Sequence, residues 1–304
     1  MTELNKSAEP LAAAVVITGA THGVGRALAE EFARGGHDLL LVARDEASLE
    51  KAAQELSSTY HVGVKVLASD LSTEEGCAAV ERALQSFGLY ADMLVNNAAM
   101  MMAGFFQDQD PAKLHKLVDL DVRAVVDLTR RLLPGMIARR KGGVLNLASV
   151  EGFMPVPYQA AYAATKAFVL SFSRALAYET MGTGVRVSAL APGTVTTGLH
   201  AKAGAEYSRY VQLLPAMTAE QVARIGYGKF MRGRKVIVTG WFNRLGIMAA
   251  RITPNLLLVP FMGLLFRVRD AQGNLQWPRA LPRPEPAKRS TPDIAVEDVR
   301  RLAP

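Results

Sequence analysis

Between about residue 11 and residue 190 the chain alternates short, nearly unbroken apolar runs with longer stretches of helical periodicity. The runs are AAAVVIT (12–18), DLLLVA (38–43), VGVKVLA (62–68), DMLVN (92–96), GGVLNLA (142–148) and VRVSALA (185–191), and KVIVTG (235–240) reads as a last strand. Consecutive Val, Leu and Ile, without polar alternation, suit strands buried on both faces, as in parallel sheets covered by helices. The intervening patterns, such as GRALAEEFARGG with its closing Gly35-Gly36, suit right-handed crossover helices. The expectation is one α/β domain over residues 11–245: a doubly wound (Rossmann) parallel sheet flanked by helices.

The rest of the chain reads less regularly. Residues 1–10 are short and polar, without the basic start and apolar run of a secretory signal, so a flexible N-terminus and a cytoplasmic protein are expected. Residues 193–217 have no strong period and suit a mobile lid over a substrate. A helix follows, TAEQVARIGYGKF, with Thr218 as its cap. Residues 246–270 form an apolar extension expected to pack on the domain. Within it, ITPNLLLVPFMGLLF (252–266) is short for a membrane span and interrupted by Pro254 and Pro260. A buried or substrate-facing helix is the first reading, an interfacial, lipid-touching helix the second. Residues 271–304, rich in Pro, Arg and Lys, are expected to be largely extended or disordered.

Composition excludes several functions. The single cysteine, Cys77, allows no intramolecular disulfide, and no ligand cluster suggests a metal. The net charge of +7 raises a nucleic-acid reading, but the basic residues are scattered and no recognition motif accompanies them. No nucleic-acid partner is expected. Weak contact with a membrane surface is compatible with the charge.

Chemistry enters directly after the first apolar run, at Thr18-Gly19-Ala20-Thr21-His22-Gly23-Val24-Gly25. A strand-to-helix turn without Cβ atoms lets backbone N–H groups and a helix N-terminus face a pyrophosphate. The second run ends in Ala43-Arg44 rather than in a carboxylate. An acidic residue there would bind ribose hydroxyls and repel a 2′-phosphate, whereas a guanidinium binds the phosphate in a forked geometry. NADP(H) is therefore the expected cofactor.

The glycine spacing TGxxxGxG, the pair Tyr162 and Lys166 in a YxxxK pattern, Asn96-Asn97-Ala98-Ala99 after the fourth run and Pro192-Gly193-Thr194-Val195-Thr196-Thr197 after the sixth together resemble the short-chain dehydrogenase/reductase family. The resemblance covers about residues 12 to 240. It implies that Asp70 and Leu71 hold the adenine ring and that Asn97 belongs to the cofactor site. It also implies that Pro192, Val195 and Thr197 cradle the nicotinamide carboxamide. His22 stands where NADP-preferring relatives often carry a basic residue.

Tyr162 and Lys166 lie four residues apart on a helical pattern, so both project from one face. Ser149 ends the fifth run, at the carboxyl edge where doubly wound sheets bind ligands. By the resemblance, Tyr162 exchanges a proton with the substrate oxygen, Lys166 lowers the phenol pKa and holds the nicotinamide ribose, and Ser149 stabilises the developing alkoxide. One departure is Asp121, which replaces the family's usual Asn of a proton-relay water site. Its charge is expected either to support Lys166 or to raise the pKa of Tyr162.

The implied function is hydride transfer between NADP(H) and a carbonyl or secondary alcohol, with reduction of a lipophilic ketone or aldehyde favoured. Phe105, Phe106, Phe153, Met154, Met100–Met102 and the 252–266 stretch are candidates for a lipophilic pocket, and equally for core. Glu151 reads as a solvated loop residue, or else as a recogniser of a polar or basic substrate group. The rival functions are a peripheral membrane-associated lipid or steroid-type reductase and a non-catalytic NADP(H)-sensing scaffold. A homodimer or homotetramer is expected, packed through 114–133 and 158–179.

Overall fold

The computed structural model describes residues 11–198, 203–270 and 272–276. Seven strands form one parallel sheet in the order β3-β2-β1-β4-β5-β6-β7. They are β1 (Ala12–Thr18), β2 (Leu39–Ala43), β3 (Val64–Ala68), β4 (Leu89–Asn96), β5 (Gly142–Leu147), β6 (Val185–Ala191) and β7 (Val236–Val238). The order reverses between β1 and β4, the switch point where doubly wound sheets open a crevice.

Helices α1 (Gly23–Arg34), α2 (Glu46–Tyr60), α3 (Glu74–Ser86), α4 (Pro111–Val118), α5 (Ala124–Ala138), α6 (Ala160–Glu179) and α8 (Ala219–Met231) flank the sheet, and the short α7 (Arg209–Leu213) lies beyond β6. Alternate strand residues feed separate cores. Val15, Ile17, Leu39 and Leu41 pack with Leu28 and Phe32 on one face, and Val16, Leu40 and Leu94 with Val80 and Leu128 on the other. Both faces are thus dry, which is why β1 and β2 show no polar alternation. Capping fixes several helix starts: Asp45 accepts from Ser48 N, Thr73 from Gly76 N, and Thr218 forms a reciprocal box with Gln221.

The strand expectations hold in place and order, with shifted ends. β4 begins three residues earlier than its apolar run, and β7 keeps only the three residues that pair with β6. Segment 193–217 is pinned at its base by Thr196 N to Met217 O (3.0 Å) and Met217 N to Thr194 O (3.0 Å).

After β7 come α9 (Trp241–Ile252) and α10 (Asn255–Phe266), joined through Thr253 and Pro254. The apolar stretch 252–266 is buried along only one side. Leu258, Met262 and Phe266 enter a cluster with Met101, Val156 and Tyr210, while Leu256, Leu257, Phe261 and Leu264 face outward. Residues 272–276 turn back on the chain, with Gln276 N donating to Val268 O. The expected N-terminal segment 1–10 and the tail from 277 onward lie outside the described residues.

Candidate active site

The carboxyl ends of β1, β4, β5 and β6 open into a cleft of about 660 Å³. The β1–α1 turn forms one wall. Gly19 and Gly23 take positive φ values of 64° and 54°, which glycine adopts without strain. A Cβ on Gly25 would stand 2.2 Å from both Gly19 O and Asn97 Nδ2, so the turn closes only around a bare α-carbon. Thr18 Oγ1 accepts from the backbone N–H of Asn97 and Ala98 (both 2.9 Å), and Asn97 Nδ2 donates to Thr18 O and Gly19 O. The Asn97 side chain is therefore spent on holding the turn.

The N-terminus of α1 has no side-chain cap and no acidic residue in its first turn. Its free N–H groups face the cleft beside Gly19, Gly23 and Gly25, an arrangement that fits a pyrophosphate. Arg44 follows β2, whose Val42 O accepts from Gly19 N. It is exposed and has no polar partner among the described residues, so its guanidinium is available beside the turn. The residues present thus fit a phosphorylated dinucleotide.

Of the other anticipated residues, Thr21, His22, Val24, Ser149, Tyr162, Lys166, Pro192, Val195 and Thr197 line the cleft. Arg44, Asp70, Leu71 and Asp121 do not. Leu71 is core, and Asp70 pairs with Lys116 Nζ (2.8 Å) and accepts from Ser72. Burial opposes ionisation of Asp70, but those partners outweigh it and hold its pKa at about 2.

The opposite wall carries Ser149, Tyr162 and Lys166. Ser149 follows β5 and starts a 3-10 turn, Val150–Phe153. α6 presents Tyr162 and Lys166 one turn apart, both buried. Lys166 Nζ donates to Leu147 O (3.1 Å), sits 2.9 Å from Asp121 Oδ2, and lies 5.5 Å from the Tyr162 ring centroid. Asp121 reaches it from a single π turn, Asp119–Arg123, inserted between α4 and α5. Its other oxygen accepts from Met100 N (2.9 Å). Burial raises the Asp121 pKa against the pull of Lys166. The expected support of Lys166 by Asp121 is thus a buried ion pair.

Burial, then the Glu151 and Asp121 carboxylates, push the Tyr162 pKa well above a free phenol's, while a hydrogen bond from Ser149 works the other way. Tyr162 is accordingly a phenol at neutral pH.

Glu151 corrects the reading of a solvated loop residue: it is only 6% exposed and lines the cleft. The cause is Gly152, where a Cβ would stand 2.6–2.7 Å from the Lys166 carbonyl group. That glycine lets the 3-10 turn lie directly on α6 and carries Glu151 inward. Burial raises its pKa to about 8, despite Lys166 nearby. Gln159, with its amide oriented to satisfy both neighbours, donates to the Glu151 carboxylate and accepts from Tyr210 Oη (3.0 Å).

Tyr210 stacks on Phe266, with centroids 4.1 Å apart and planes at 12°, and both line the cleft with Leu214. Gln159 had no signal in the sequence, whereas Tyr210 and Leu214 fall in the 193–217 segment expected to cover a substrate. Of the apolar pocket candidates only Phe266 reaches the cleft. Phe105 instead pairs with Tyr158, Phe106 is exposed, Phe153 lies under Arg174, and Met100–Met102 and Met154 join the apolar cluster that contains Val156, Tyr162 and Leu258. Among the described residues no group of three His, Cys, Asp or Glu is placed to hold a metal.

The family model for short chain dehydrogenase matches residues 13–208, the span that holds the glycine turn, Ser149, Tyr162 and Lys166. The chain belongs to the short-chain dehydrogenase family. Among similar proteins, a bovine very-long-chain 3-oxoacyl-CoA reductase is 36% identical over 188 residues, 60% of each chain. Sulfoacetaldehyde reductase 2 of Chromohalobacter salexigens is 40% identical over 185 residues, 60% of this chain and 73% of the relative. This short-chain dehydrogenase thus matches about 60% of the length of the bovine relative. A short-chain dehydrogenase from Sphingobium yanoikuyae, solved in complex with NADPH, superimposes with a TM-score of 0.69 at 33% identity, over 79% of this chain and 96% of that one.

Proposed function

We propose that this short-chain dehydrogenase uses NADP(H) to reduce a lipophilic ketone or aldehyde, with Tyr162 as proton donor. The observation that carries the reading is a buried Tyr162, one helical turn from Lys166, in the same cleft as the open α1 N-terminus. A bound nicotinamide supplies the hydride. As charge grows on the carbonyl oxygen, Tyr162 gives it a proton and the Ser149 hydroxyl donates a second hydrogen bond. Lys166, held by Asp121 and Leu147 O, keeps a positive charge beside the phenol and offsets the phenolate left behind. The reverse reaction starts from the phenolate, which burial and two neighbouring carboxyl groups oppose.

NADP(H) over NAD(H) rests on Arg44, and the NADPH held by the Sphingobium relative agrees with it. Phe266, Leu214 and Tyr210 favour an apolar substrate body, and Glu151, a carboxylic acid near neutral pH, is placed to hydrogen-bond a polar group on it. Exposed Val126 on α5 and Phe168 and Tyr178 on α6 suit the expected homo-oligomer. The test follows NADPH oxidation on a panel of lipophilic ketones and aldehydes. Turnover by the wild type, and a loss of about 10²–10⁴-fold in Tyr162→Phe with NADPH binding kept, is the expected outcome. Equal turnover by Tyr162→Phe, or NADPH binding without turnover on any panel member, overturns the reading.

A further inference from the structure

Helices α9 and α10 turn an apolar face outward. On α9, Leu245, Met248 and Ile252 are exposed; on α10, Leu256, Phe261 and Leu264 are. The two most exposed, Ile252 (85%) and Leu256 (84%), flank the Thr253-Pro254 corner, so the tip of the helical pair is its most apolar part. A contiguous surface of this kind marks an interaction site rather than ordinary scatter of apolar residues.

Charge identifies the occupant. From Trp241 to Arg269 the chain carries four arginines (Arg244, Arg251, Arg267 and Arg269) and no Asp or Glu, and residues 252–266 carry no charge at all. Arg244 and Arg251 have no acidic partner among the described residues. A two-fold contact with a second copy across this face would bring like charges together without relief. Arg251 adjoins the apolar tip and Arg244 lies about two turns back along α9, both exposed, so a face that is apolar at its tip and cationic beside it complements a surface that is apolar inside and anionic outside. Each helix has 12 residues, about 18 Å, against roughly 30 Å of bilayer core. No helix among the described residues is long and apolar enough to cross a membrane.

We infer that α9 and α10 dock this protein in the plane of an anionic phospholipid surface, with Ile252 and Leu256 inserted and Arg244 and Arg251 among the headgroups. If the reductase reading holds, the docking has a consequence for substrate. The inner side of α10 contributes Phe266 to the cleft wall, so one helix joins the lipid surface to the site. An amphiphilic carbonyl compound dissolved in the bilayer is then the substrate class the site meets.

The test is co-sedimentation of the full-length protein, saturated with NADPH, with vesicles of phosphatidylcholine alone and of phosphatidylcholine mixed with phosphatidylglycerol. Binding to the mixed vesicles is expected to be at least about tenfold stronger and to fall at high salt. The double variant Ile252→Asp, Leu256→Asp is expected to lose it, with NADPH binding and turnover of a water-soluble ketone unchanged. No binding to mixed vesicles, or undiminished binding by the double variant, overturns the inference. So does a dimer, measured by light scattering, that the double variant abolishes without any vesicle binding. The vesicle arm reads neither nucleotide nor turnover, so its failure is separable from failure of the reductase reading.

Discussion

Gly19, Gly23 and Gly25 meet the cleft through main chain held by neighbouring strand ends, and side chains contribute mainly by being absent. Across the cleft, Glu151, Tyr210 and Phe266 arrive as side chains from three segments remote in the chain, closed over the Tyr162–Lys166 face of α6. The first wall is a local device, decided within one strand, one turn and one helix. The second exists only after tertiary packing. A wall of backbone suits a cofactor whose phosphates are always the same, and a wall of side chains admits variation in substrate.

The two walls break differently. The largest effect is expected from Lys166→Met, which strands the buried Asp121 carboxyl without its cation. A loss of about 3–5 kcal/mol in urea unfolding is expected, with most of it recovered in the double variant Lys166→Met, Asp121→Asn. Equal losses in the single and double variants would show that the pair is not coupled.

Glu151→Gln comes next, and its effect depends on pH. A carboxyl whose folded pKa is raised contributes stability that is complete below the ordinary carboxylate range and lost as pH rises through about 8. Relative to wild type, the variant is therefore expected to gain stability progressively between about pH 5 and pH 9, by roughly 3–4 kcal/mol in total. A flat difference across that range would place Glu151 in solvent.

On the glycine wall, Gly25→Ala forces backbone atoms apart and is expected to cost about 1–3 kcal/mol and at least tenfold in NADPH affinity, read by thermal melts and nucleotide fluorescence. The smallest effect belongs to Arg44→Ala: about a tenfold loss for NADPH with NADH unchanged, since only the 2′-phosphate needs the guanidinium. Equal loss for both nucleotides would assign Arg44 a structural task.

The same contrast explains what was legible in the sequence. Strands β1 to β7 and the glycine turn are local, and their apolar runs and spacing placed them to within a few residues. Tyr162 and Lys166 share a helix face, so their spacing alone brought them together. Glu151 was misread because its burial depends on Gly152 letting a turn touch α6, a tertiary fact without a local pattern. Asp70, which the resemblance assigns to the adenine ring, also pairs with Lys116 of α4, a tertiary contact without a local pattern. Phe105 and Phe106 were indistinguishable from Phe266 as apolar candidates, because hydrophobicity does not say which cavity a ring will fill.

The most direct measurement is parallel titration of the purified protein with NADPH and NADH, followed by nucleotide fluorescence. Saturable NADPH binding at least about tenfold tighter than NADH is the predicted result, since one free guanidinium on a 2′-phosphate is worth about 1.4 kcal/mol or more. Saturable binding of neither nucleotide would contradict the account at its centre.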